Sequence, residues 1–167
     1  YDAAQGIELA GFAWFQGWND MVDSSTYPDR DKPGGYNAYS TAMAHFIRDV
    51  RRDLNVPKLP FVIGVMGIGG PTKDYGPEER RYQTVHQNFR DAMAAPAQLP
   101  EFKGNVTALL TEKYWDRELT AAKAKNNEIQ QKAKKLAAEG KLTPADEKAA
   151  LEKMRADGLT ERERTVL

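Results

Sequence analysis

Gly11-Phe-Ala-Trp-Phe-Gln-Gly-Trp-Asn-Asp20 is an apolar, aromatic run that stops at a polar turn, and its reading decides the fold. Gly11 to Phe15 has the β-favouring bulk of a buried strand covered on both faces. Gln16, Gly17, Asn19 and Asp20 then gather side-chain amides and a carboxylate at its carboxyl end, the edge at which open α/β sheets bind ligands. Gly17 can take backbone conformations closed to other residues, so the main chain can pass close to a substrate, and Asn19 can aim an amide donor at a developing oxyanion. The chemistry suggested is acyl transfer. Gln16 and Asn19 can instead bind sugar hydroxyls, because a carboxamide both donates and accepts hydrogen bonds.

Outward from this run, Leu59-Pro-Phe-Val-Ile-Gly-Val-Met66 reads as a second fully buried strand, and Asn105-Val-Thr-Ala-Leu-Leu-Thr111 as a third. Between the first two lies an amphipathic helix over Tyr36 to Leu54, with Tyr36, Tyr39, Met43, Phe46, Ile47, Val50 and Leu54 on its stripe and Arg48, Asp49, Arg51, Arg52 and Asp53 on its wet face. A second helix, Pro77 to Ala95, starts with Pro77 and two glutamates and buries Tyr82, Val85, Phe89 and Met93. Strand, helix, strand is a βαβ unit with a right-handed crossover, which predicts an α/β fold around a parallel sheet.

The strand-end rule also brings Glu112, Tyr114, Trp115 and Asp116 toward the ligand crevice. Asp116 is the best carboxylate to orient a histidine, and it can equally cap the helix that follows. His45 falls on the flank of its helix, whereas His86 sits near the edge of a buried stripe, where it either reaches the site or is a satisfied core histidine. Met21 to Gly35 is a loop at the mouth of the site. Trp18, Tyr27 and Arg30 either contact a sugar face there or pack beneath the loop. The acids Asp20, Asp23, Asp29 and Asp31 miss the spacing of a calcium loop. Gly67-Ile-Gly-Gly-Pro71 lacks the Gly-x-Gly-x-x-Gly register of a dinucleotide site.

With 167 residues, 41% hydrophobic and 29% charged, the chain can build one domain with a real core. Lys plus Arg equals Asp plus Glu at 24 each, so no global field steers it toward nucleic acid or an anionic membrane. No apolar run approaches the roughly 20 residues of a membrane helix. Cysteine is absent, which excludes disulfides, thiolate zinc sites and a cysteine nucleophile. From Arg117 the composition turns to Ala, Lys, Glu and Gln. Leu119, Ile129 and Leu136, then Leu151 and Met154, predict a charged helical hairpin with a thin seam: a lid, an oligomer contact or an insertion. The expected division is 1–116 and 117–167.

Trp14-Phe-Gln-Gly-Trp-Asn-Asp20 resembles the third conserved block of the SGNH (GDSL-type) hydrolases, in the branch of sialate O-acetylesterases and related carbohydrate acetylesterases. That branch has Trp-x-Gln-Gly-Glu-Ser-Asn or -Asp, and the wider superfamily Gly-x-Asn-Asp. Trp18 stands where the branch has Glu, leaving the role of that Glu unassigned. The similarity extends through His45-Phe-Ile-Arg-Asp-Val50 and Pro60-Phe-Val-Ile-Gly-Val-Met66 to Trp115. The resemblance implies a flavodoxin-like three-layer α/β/α core with a parallel sheet, followed by the hairpin. It implies a carbohydrate O-acetylesterase without a cofactor, acting on an acetylated carbohydrate, in a secreted or periplasmic parent. Gly17 and Asn19 become oxyanion-hole positions, with Gln16, Trp18, Asp20 and Asp116 as substrate-binding candidates, Asp20 more as a brace for the turn than for chemistry.

Ser24, Ser25 and Ser40 are the only serines, and none lies in a Gly-x-Ser-x-Gly elbow or a Gly-Asp-Ser or Gly-Gln-Ser block. The family's serine block precedes the present one and its histidine lies in a late block. The sequence opens on Tyr1-Asp2 without methionine, so the expectation is an internal piece of a longer protein, inactive alone, with nucleophile and base outside it. The alternative is a noncatalytic carbohydrate-binding or interaction module on the same fold.

Overall fold

A computed structural model describes residues 6–141 and 143–167; Tyr1-Asp2 and Leu142 lie outside them. The chain divides into two compact units, residues 1–115 and 116–167. The first is α/β, a partial three-layer α/β/α arrangement on three parallel strands, β1 (Phe12–Trp14), β2 (Phe61–Val65) and β3 (Val106–Leu110), in that order across the sheet. Phe12 pairs with Phe61 and Phe61 with Val106, so period-two alternation puts Phe12, Trp14, Phe61, Ile63, Val65, Val106 and Ala108 on one face. That face packs with helices α2 (Asn37–Asp53) and α3 (Gln83–Ala94), which bury Met43, Ile47, Phe89 and Met93. Phe12 stacks on Phe61 at 4.9 Å, and Phe46 of α2 meets both edge-on.

The strands are covered on one face, not on both as their unbroken apolar runs suggest. Ala13, Val62, Thr107 and Leu109, which share the opposite face, are exposed. The strand order advances in one direction, and two crossovers of the same hand lay both helices on the same side. Apolar runs report the burial a strand is built for, without saying which element supplies it.

Four smaller differences have local causes. The polar turn after β1 is a short helix, α1 (Trp18–Val22). Tyr36 precedes α2 instead of opening it, and its hydroxyl donates to Met21 O at 2.6 Å. Arg51, expected on the wet face, is buried: its guanidinium donates to Leu59 O and to Asn105 Oδ1 at 2.7 Å, pinning the segments that lead into β2 and β3. A long stem and five donors let arginine satisfy loop carbonyls that no strand reaches. Tyr82 is half-exposed because a 3₁₀ turn (Arg80–Tyr82) precedes α3 and rotates it off the stripe onto the His86 ring.

The second unit comprises α4 (Arg117–Ala138), α5 (Pro144–Gly158) and a short third helix, α6 (Glu161–Thr165), that the hairpin reading did not contain. On α4, Ala122, Asn126, Ile129 and Ala133 recur at helical spacing. Asn126 accepts from Arg155 Nε at 2.8 Å, and the Ile129 side chain lies against Gly158. Among the described residues no helix is long and apolar enough to cross a membrane.

Candidate active site

At the carboxyl end of β1, Gly17 is buried, and a Cβ there would lie 2.9 Å from the Phe89 ring. The missing side chain therefore admits Phe89 on that side, where the sequence reading had placed a substrate. Tyr39 ties the strand end together: Trp14 Nε1 donates to its hydroxyl at 3.3 Å, and the hydroxyl donates to Gln16 O at 3.1 Å. Burial pushes the Tyr39 phenol up to about 12, so it remains a donor throughout the neutral range.

The polar residues of the turn divide by role. Gln16, Trp18 and Asn19 are exposed, and among the described residues the Asn19 and Gln16 carboxamides have no protein partner. Asp20 accepts a long bond, 3.5 Å, from the Tyr27 hydroxyl and so braces the turn. Tyr27 is itself buried, and Arg30 Nη1 donates to Val22 O at 2.6 Å, so both pack beneath the loop. The Asp23 carboxylate accepts from the backbone and hydroxyls of Ser25 and Thr26, bonds that hold it well below the usual range.

The ends of β2 and β3 meet closely. A Cβ on Gly67 would fall 2.4 Å from Glu112 N, so only glycine lets the two backbones approach here. Arg90 of α3, 2% exposed, clamps both ends. Its Nη1 donates to Glu112 Oε2, and its Nη2 donates to Ile68 O at 2.7 Å, Gly70 O at 3.0 Å and the Tyr75 hydroxyl at 3.2 Å. Tyr75 donates to Ile68 O at 2.8 Å, and His86 Nδ1 sits 2.7 Å from the same hydroxyl. Burial, then the charge of Arg90, lowers the His86 pKa. His86 is thus a half-buried histidine with a partner, and His45 lies exposed beside Arg48.

Above this floor is an open cleft of about 490 Å³, lined by Phe15 and Trp18 after β1, Met66 and Ile68 after β2, and Tyr114 and Trp115 after β3. Tyr114 and Trp115 therefore reach the crevice with Trp18. Glu112 turns to Arg90 instead, and Asp116 caps α4, accepting from Leu119 N at 2.8 Å. Ser25 Oγ is bonded to Asp23 and Ser40 Oγ to Ala92 O. Among the described residues neither histidine hydrogen-bonds a serine, and no three His, Cys, Asp or Glu side chains are grouped to hold a metal ion.

A family model described as carbohydrate esterase, sialic acid-specific acetylesterase, matches residues 1–100, more than half of the chain. The chain belongs to this carbohydrate esterase family. No curated protein and no solved structure matches significantly. Membership makes an acetylated carbohydrate the substrate class. The clamp of this esterase, Arg90 with Tyr75, and the tie at Tyr39 were missed in the sequence. A charged residue set among Phe89, Ala92 and Met93 on one helix was the signal available for Arg90.

Proposed function

We propose that the protein is an SGNH-type carbohydrate O-acetylesterase in which Asn19 and Gly17 form the oxyanion hole. Its nucleophilic serine and the histidine that activates it are contributed by residues outside this chain. The serine Oγ attacks the acetyl carbonyl carbon, the bond to the sugar oxygen breaks, and the sugar leaves as an alcohol carrying the proton. Water then releases acetate from the acyl-serine. Asn19 donates to the carbonyl oxygen as it becomes an anion, where a positioned donor acts most strongly. One observation carries this reading: the Asn19 carboxamide, just past the carboxyl end of β1, has no protein partner among the described residues, in a chain of the carbohydrate esterase family. Gln16 and Trp18 border the same edge and would contact the sugar, and Asp20 holds the turn.

The exposed carboxamides of Gln16 and Asn19, which can both donate to and accept from sugar hydroxyls, support a second reading, a noncatalytic carbohydrate-binding module. Acetate release from an O-acetylated sugar by the intact protein containing this chain separates them. Turnover is expected; saturable sugar binding without acetate would establish the binding module instead.

A further inference from the structure

Neighbouring side chains of α3 reach the carboxyl ends of all three strands and the loop that follows α1. Asn88 Nδ2 donates to Arg30 O and to Lys32 O, both at 3.1 Å. Phe89 fills the space left open by Gly17, two residues before Asn19. Arg90 holds Ile68 O and Gly70 O after β2 and Glu112 after β3, and Met93 Sδ accepts from Met66 N at 3.4 Å. Phe89 and Arg90 are successive residues of one helix, fixed about 100° apart around its axis. A displacement of one is therefore a displacement of the other, and α3 ties the β1 turn to the ends of β2 and β3.

Stability alone does not account for an arginine at this place. Its Nε is buried without a hydrogen-bond partner among the described residues. An N–H taken out of water and left unpaired costs stability, and a buried ion pair is weak evidence for stability. What the arginine supplies is geometry. Its planar fork puts Nη1 on Glu112 and Nη2 on two carbonyls, which fixes direction as well as distance, and the point charge of a lysine cannot do both. The glycines of the β2 end suit that grip. Gly67 lets the Glu112 backbone come near, and Gly69 and Gly70, at φ +78° and +75°, permit the turn in which Ile68 O and Gly70 O meet one nitrogen.

We propose that Arg90 is a positioning residue for the acetyl-transfer step. By locking α3 to the ends of β2 and β3 it sets, through Phe89 against Gly17, where the turn holds the Asn19 carboxamide. This rests on the reading of Asn19 as an oxyanion donor. The demand on position is severe, because a donor acts at hydrogen-bond distance from the forming oxyanion and a misplacement of about 1 Å can cost roughly a hundredfold.

The test is a double-mutant cycle of Arg90→Lys and Asn19→Ala in the intact protein, with kcat and KM for acetate release from an O-acetylated sugar and the melting temperature of each variant. Arg90→Lys is expected to lower kcat about ten- to a hundredfold with KM within about twofold. In the Asn19→Ala background the same substitution should change kcat by less than about threefold, because the donor it positions is gone. A merely structural role would lower the melting temperature and act equally in both backgrounds. Should Arg90→Lys fail to fold, Tyr75→Phe takes its place in the cycle: it removes the hydroxyl that shares Ile68 O with Arg90 and leaves the charge pair intact. Its fall in kcat should be smaller, roughly three- to tenfold, and should likewise vanish without Asn19. Unchanged kcat, or equal falls with and without Asn19, would overturn the proposal and leave the esterase reading standing. Turnover indifferent to Asn19→Ala would sink the oxyanion role and the proposal with it, and no acetate release by the natural protein would sink the esterase reading itself.

Discussion

The two units of the chain are held together in different ways. The α/β unit interlocks aromatic rings: Phe89 meets Tyr36 at 4.9 Å and Tyr39 at 4.8 Å, while Phe12, Phe46 and Phe61 form a second group. Among the described residues of the helical unit, the buried apolar side chains are Ala122, Ala133 and Leu159, and much of the remaining contact is polar, such as Lys125 with Glu163 and Arg162 with Glu118. Burial of a large ring stabilises by about 1.5–3 kcal/mol, whereas exposed ion pairs give little. Precision for chemistry therefore resides in the first unit, where the residues under the β1 turn are fixed by packing on several sides.

The contrast can be broken most readily at Phe89, which is fully buried. Phe89→Ala should destabilise the α/β unit by about 3–5 kcal/mol in chemical denaturation. A loss comparable to a surface change would show that the aromatic core is not what holds the turn. Gly17→Ala probes the same contact from the other side. Its added methyl should cost about 1–3 kcal/mol, since it would fall 2.9 Å from the ring of the fully buried Phe89.

A smaller effect is expected from pH. Burial and Arg90 hold His86 below its ordinary value of 6.5, Glu79 opposes them weakly, and Tyr75 and Tyr82 enclose the ring. The folded protein thus prefers the neutral ring, and the unfolded chain takes up the proton first as pH falls. The stability contributed is complete above about pH 6.5 and is lost as pH drops through the lower folded value. Melting temperatures at pH 7.5 and 5 should fall less for His86→Gln than for the natural protein; equal falls would remove His86 from the account. The smallest effect is expected in the helical unit. Thr160 and Glu163 form a reciprocal capping box at the start of α6, and Thr160→Ala should cost near the lower end of roughly 0.5–2 kcal/mol. A loss as large as that at Phe89 would erase the distinction between the units.

What was legible in the sequence follows the same division. The three strands, α2, and the charged helices announced themselves by apolar run length, helical period and composition, because those patterns report burial directly. The edge of the sheet that gathers Trp18, Tyr114 and Trp115 was also readable, since strand ends in parallel sheets share one edge. The open second face was not, because apolar alternation is silent on which helix covers it. Arg51 and Arg90 were misjudged or overlooked because a buried arginine differs from a solvated one only through partners distant in sequence: Leu59 and Asn105 for one, Ile68 and Glu112 for the other. Asp116 carried two readings of equal sequence support, and the geometry of the α4 cap supplies the contact that one of them requires.

The central claim rests on Asn19, whose side chain is exposed and has no hydrogen-bond partner among the described residues. Its most direct test is the turnover of an O-acetylated sugar by the intact protein, natural and Asn19→Ala, with the melting temperature followed in parallel. The account predicts a fall in kcat of roughly a hundred- to a thousandfold with little change in KM and an unchanged melting temperature. Undiminished kcat in the folded variant would contradict it.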